Sequence, residues 1–199
     1  MIEKYSLYYA YKTIGDVLIV DIEPDLYPTS FKRSGDVVAI YNGDKVIGYN
    51  IFDFSRVVKI KMVGILYHPE NVMIDIINSM LINAGLDTLA YVKESGFVVG
   101  EVKECFQLER DYMAMIDIKD CIVAGLSKTE LNPGDKVVVA KVGTTLRDGK
   151  IVKQKVGEFG MTDCHICSGK DVFFDESETT LLLDKDIETG IDFFKIEVE

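Results

Sequence analysis

The residues of this chain that could do chemistry are four cysteines, two histidines and one cluster of lysines and arginine. Cys164-His165-Ile166-Cys167 has the spacing of a zinc knuckle, in which two thiolates reach the same tetrahedral ion. A structural zinc site needs four ligands, and no second Cys-x-x-Cys or histidine pair accompanies this one. Cys105, Cys121 and His68 stand alone, so no metal is expected. Covalent haem is excluded because no histidine follows Cys167. Nucleophilic catalysis would have to use His68 or His165, and neither lies in a nucleophile motif. Gly143-Thr144-Thr145 and Asp148-Gly149-Lys150 lack the G-x-x-x-x-G-K-S/T pattern that cradles phosphate and read as hairpin turns. No catalytic site, no cofactor and no enzymatic activity are expected.

The cationic cluster is the more informative feature. Residues 136–155 hold Lys136, Lys141, Arg147, Lys150, Lys153 and Lys155 against Asp148 alone, whereas residues 171–199 hold two bases and ten acids. The whole chain carries a formal charge of −11, which repels a phosphate polyanion and argues against non-specific nucleic-acid binding. The local basic run reads either as a binding patch or as one solvated face of an acidic protein.

The elements that must position these residues follow from periodicity and turn chemistry. At 199 residues the chain has room for two small domains with a core each. Tyr5–Tyr11 and Asp16–Ile22 read as strands, and 23–34, with Pro24 and Pro28, as irregular. VVAIY (37–41) and KVIGYNIF (45–52) flank Asn42-Gly43-Asp44 and form a hairpin. Pro69 opens a helix carried by Met73, Ile76, Ile77, Met80, Leu81 and Ala84 and closed by Gly85. Residues 1–94 are thus expected to be a small α+β domain. Beyond Gly96 the pattern is all-β, with strands at 97–102, 112–118, 121–126 and 136–143, and a small closed barrel or sandwich is favoured. The opening residues MIEKYSLYYAYK do not resemble a leader, and no apolar stretch is long enough to span a bilayer, so a cytosolic location with reduced thiols and no membrane partner is expected.

Phe97-Val98-Val99-Gly100-Glu101-Val102, Val123-Ala124-Gly125, Pro133-Gly134-Asp135 with the strand that follows to Gly143, and Ile166-Cys167-Ser168 together resemble the tRNA-binding domain family. That family includes the module of methionyl-tRNA synthetases and of the bacterial phenylalanyl-tRNA synthetase β subunit. Gly15-Asp16-Val17-Leu18, Gly35 to Tyr41 and Gly48 to Phe52 look like the first domain of a stand-alone two-domain version from low-GC Gram-positive bacteria. The resemblance implies an α+β domain over 1–94 followed over 97–199 by an all-β OB-fold, a five-stranded barrel that binds tRNA by backbone and shape, often as a homodimer. It implies contacts by Lys141, Lys153 and Ser168. The charge argument adds Lys136, Arg147, Lys150 and Lys155.

The chain also departs from the family pattern. Gln107 to Met113 keeps only the aspartate of a His-Pro-x-Ala-Asp-x-Leu loop, Gly125-Leu126-Ser127-Lys128 loses an asparagine, Phe159-Gly160 replaces Arg-Gly, and Cys164-His165 replaces Gly-Met. These departures, with the acidic charge, motivate the alternative of a degenerate OB domain used for protein–protein contact or dimerisation. An enzyme would require turnover that His165→Ala abolishes.

Overall fold

The computed structural model describes residues 1–60, 63–157 and 160–196. It divides into Met1–Lys93 and Glu94–Glu199. In the first unit the strands are β1 (Ser6–Tyr9), β2 (Val17–Asp21), β3 (Ser30–Ser34), β4 (Val37–Asn42), β5 (Lys45–Phe52) and β6 (Gly64–Ile65), with a single turn of helix, α1 (Tyr11–Ile14), after β1. They form one antiparallel sheet in the order β3-β4-β5-β2-β1-β6. Alternation along β2, β4 and β5 sends Leu18, Val20, Val37, Ala39, Tyr49 and Ile51 to one face, where helix α2 (Asn71–Asn83) covers them with Ile74, Ile77 and Leu81. Each of these three helical side chains is 0% exposed, and burial of that kind stabilises by about 1.5–3 kcal/mol per residue. The helix ends in a Schellman motif: Gly85, at φ 72°, donates its N–H to Ile82 O and Leu86 donates to Leu81 O. Pro69 lies before the N-cap Glu70, not at the first helical position. The β4–β5 hairpin turns on Gly43-Asp44, and of these two Gly43 alone takes a positive φ.

The second unit contains β7 (Phe97–Gln107), β8 (Tyr112–Asp117), β9 (Ile122–Ser127), β10 (Lys136–Lys141), β11 (Lys155–Gly157), β12 (Gly160–Thr162), β13 (Cys164–Ile166) and β14 (Leu182–Leu183). Its main sheet runs β13-β10-β7-β8-β9, with β14 also paired to β10, and β11–β12 is a separate hairpin. Ala114, Ile116 and Ile118 lie on the buried face, in one core with Val98, Val102, Val137, Val139 and Ile166.

The expected fold class requires correction. Among the described residues α2 is the only helix longer than one turn, so the chain is mostly β and the first unit is a six-stranded sheet with one covering helix. The second unit is not a closed five-stranded barrel either, because both of its sheets are open. The edge strands β9 and β13 approach at Gly125 and Ile166, and Ala124 exchanges hydrogen bonds with Asp163, 2.7 Å to its carboxylate and 3.0 Å from its N–H. No ladder joins them among the described residues. β13 is only three residues long, too short to complete a seam. No helix of the described residues is long and apolar enough to cross a membrane.

Candidate nucleic-acid interface

One cleft of about 640 Å³ in the second unit gathers much of its charge. Its walls come from four segments: Leu126 to Lys128 at the end of β9, the loop after β10 with Arg147, Asp148 and Lys150, the end of β13 with the following turn, and the strap carrying Glu178 and Thr180. The loop after β10 is itself a small hairpin. Thr145 bridges Ile151, Leu146 N donates to Lys150 O at 2.7 Å, and Gly149 provides φ 84° at the turn. The strap is seated on Gly169, where a Cβ would collide with the Asp175 carboxylate, and it is fastened by Lys170 N to Ser177 O at 3.0 Å and by the Ser127–Thr180 hydroxyl pair at 3.1 Å.

Four cations line the cleft: Lys128, Arg147, Lys150 and Lys170. Three are already held by acids. Lys150 Nζ lies 2.6 Å from Asp148, Lys170 Nζ 2.8 Å from Glu178, and Arg147 Nη2 3.3 Å from Glu176. These contacts hold the Asp148 and Glu178 carboxyls below their ordinary values and the Lys150 and Lys170 ammoniums above theirs. Arg147 also lies 4.6 Å over the Phe173 ring and donates to Lys170 O at 3.2 Å, which fixes its guanidinium.

At the cleft wall Asp171 Oδ2 accepts from Ser168 N and Ser168 Oγ, each at 2.8 Å, and lies 3.1 Å from His165 Nε2. Burial pushes this carboxyl up, but the bonds from His165 and Ser168 outweigh it and bring the pKa down to about 2. The three residue types are those of a hydrolase triad, arranged differently. The carboxylate sits between serine and histidine, so Ser168 Oγ donates to a very weak base and His165 is not interposed.

Three of the expected contacts, Arg147, Lys150 and Ser168, meet in this cleft, and four do not line it. Lys136 is turned inward: its side chain is 8% exposed, and Nζ bonds Glu101 at 2.8 Å and Thr189 at 2.6 Å. Lys141 pairs with Glu94 at 2.7 Å, which holds that carboxyl below its ordinary value. Lys153 and Lys155 are exposed at the start of the β11–β12 hairpin. Phe159, one of the family departures, lies outside the described residues. Lys128, Lys170 and Asp171 were missed by the charge argument because they lie outside 136–155. Their adjacency to Gly125-Leu126-Ser127 and Cys167-Ser168 was the available signal. Cys164 and Cys167 are buried and their thiols are pushed up by burial, Cys164 to about 12. Among the described residues no three His, Cys, Asp or Glu side chains form a metal-binding group.

Comparison with known proteins gives two findings. Residues 24–90 match the family described as "Domain of unknown function (DUF4479)". Over 195 residues the chain is 25% identical to the "Putative tRNA-binding protein YtpR" of Bacillus subtilis, a similarity that spans 93% of this chain and 97% of that protein.

Proposed function

We propose that this protein binds tRNA, through backbone and shape, at the cleft of its second unit and without a covalent step. The observation that carries the reading is the end-to-end similarity to a protein named for tRNA binding. The cleft supports it, since four cations from separate segments converge where the net charge of −11 would otherwise repel phosphate. Binding there is an exchange: phosphates replace Glu178, Glu176 and Asp148 at Lys170, Arg147 and Lys150, and the displaced carboxylates return to water. The central position of Asp171 supports binding over hydrolysis, because Ser168 has no histidine base.

The test is tRNA binding to the full chain, followed by fluorescence anisotropy over a range of salt. Affinity should fall steeply as salt rises, and Lys150→Glu and Lys170→Glu should each weaken all tRNAs alike and flatten the logarithmic slope by about 0.7–0.9. A flat salt response overturns the proposal. A second reading, docking of a protein or of another copy, is favoured by the row Phe106–Met113–Leu126 on neighbouring strands, where Phe106 is 51% and Leu126 47% exposed. A concentration-dependent mass with no response to tRNA would select it.

A further inference from the structure

In the first unit, exposed rings and cations coincide over residues 26–34. Tyr27 is 85% and Phe31 77% exposed, yet the backbone beneath them is fastened. Asn42 Nδ2 donates to Tyr27 O at 2.8 Å, Thr29 N to Tyr41 O at 2.7 Å, and Gly43 N to Thr29 Oγ1 at 2.8 Å. Two large rings left in water on a secured edge contribute nothing to their own core. On β3, Phe31 and Arg33 share one face and Lys32 takes the other. The Arg33 guanidinium lies 5.2 Å from the Phe52 ring centroid, and its Nε donates to Gly35 O at 2.9 Å. A guanidinium held on a ring can offer its outer face to another planar group. Pro28 and Lys32 account for protection of an edge strand from pairing, but the exposed rings need a different explanation.

We infer that this edge is a stacking platform for unpaired bases of a single-stranded nucleic-acid segment, with Tyr27 and Phe31 as the stacking rings, Arg33 on the Phe31 face meeting phosphate, and Lys32 on the opposite face adding only its charge to the edge. The inference deepens the tRNA reading by giving the first unit a share in it, and rests on that reading for the class of ligand. Charge selects the occupant. Residues 26–34 contain two cations and no acid; of the acids that flank them, Asp25, Asp36 and Glu23, the last is held by Lys45 at 2.5 Å. Paired antiparallel about its centre with a second copy, β3 would set one Lys32 against another, which is destabilising, whereas phosphates relieve the same charges.

The chain contains no tryptophan, so Phe31→Trp places a single fluorescent reporter on the platform of the full-length protein. A short oligoadenylate at low salt should quench it, and Tyr27→Ala with Phe31→Ala should weaken binding of that oligonucleotide about tenfold or more. Lys150→Glu, in the cleft, should leave the quench in place. An unquenched reporter in a protein that still binds tRNA overturns this inference and leaves the cleft reading standing. Loss of salt-dependent tRNA binding with the quench intact does the reverse. Quenching by polyglutamate instead of oligoadenylate, or by raising protein concentration alone, also overturns it, in favour of an acidic protein partner or a second copy.

Discussion

Replacing Lys136 separates structural from binding cations. Its side chain is 8% exposed, and its ammonium is taken up by Glu101 at 2.8 Å and Thr189 at 2.6 Å. Lys136→Met keeps the aliphatic stem, and Glu101 retains Lys103 at 2.6 Å, so no carboxylate is stranded. Exchange of an enclosed ion for an apolar side chain of similar volume is close to neutral, and the cost should stay within about 1 kcal/mol. Lys136→Glu instead sets a second carboxylate against Glu101 at a nearly closed position. Its cost should be about 3–5 kcal/mol, the range for leaving a buried charge without a partner. At about 4 °C or more per kcal/mol for a unit of this size, the thermal midpoint should fall by about 12 °C or more. Thermal unfolding by circular dichroism reads both values. Because Nζ is occupied inside the fold, Lys136→Met should leave tRNA affinity within about twofold and the salt slope unchanged. An unaltered thermal midpoint in Lys136→Glu, together with a slope flatter by about 0.7–0.9 in Lys136→Met, would refute this reasoning and return Lys136 to the binding surface.

Further outcomes follow from the same geometry. Asp171 is held at about 2 against an ordinary 3.8, and Glu101, through Lys103 first and then Lys136, at about 2 against 4.5. A depressed carboxyl stabilises above its unfolded value, so the second unit should lose stability as pH falls from about 4.5 towards 2. Asp171 should contribute about 1–2 kcal/mol of that loss, and Asp171→Asn should show a shallower acid limb in urea titrations between pH 4 and 2. An unchanged limb contradicts the assignment. Neutralising the cleft acids with Glu176→Gln and Glu178→Gln should tighten tRNA binding by about two- to fivefold each, because phosphate then displaces no carboxylate; weaker binding rules out the exchange. Asp192 accepts Ser95 N and Ser95 Oγ, each at 2.7 Å, and Phe194 N at 3.0 Å. Asp192→Ala leaves those donors without this acceptor and should cost about 2–3 kcal/mol, seen as a lower urea midpoint at constant m-value.

Local chemistry in the sequence determined most of the strands and the long helix α2. The 112–118 alternation buries Ala114, Ile116 and Ile118, and Gly85 ends the helix as its type predicts. Periodicity located α2 but missed Ile74, the first residue of its buried stripe, because which arc of an apolar helix faces inward depends on the sheet it meets. β3 was read as irregular, since SFKRS has no apolar alternation and pairs only at a sheet edge. Strand pattern could not show whether the second sheet closes either. That depends on how far β9 and β13 extend beside each other, and a three-residue β13 bonded through Asp163 leaves the seam open.

The sequence also established that Lys136, Lys141, Arg147, Lys150, Lys153 and Lys155 are close along the chain. It could not establish that they face the same way. β10 turns Lys136 inward to Glu101 and its end carries Lys141 to Glu94, while the hairpin that follows carries Arg147 and Lys150 into a cleft with Lys128 and Lys170. Residue type and local order set turns, caps and strands, because those depend on neighbours a few residues away. Whether a lysine meets an internal carboxylate or an open cleft depends on which distant segments pack against it, and only the tertiary structure decided that.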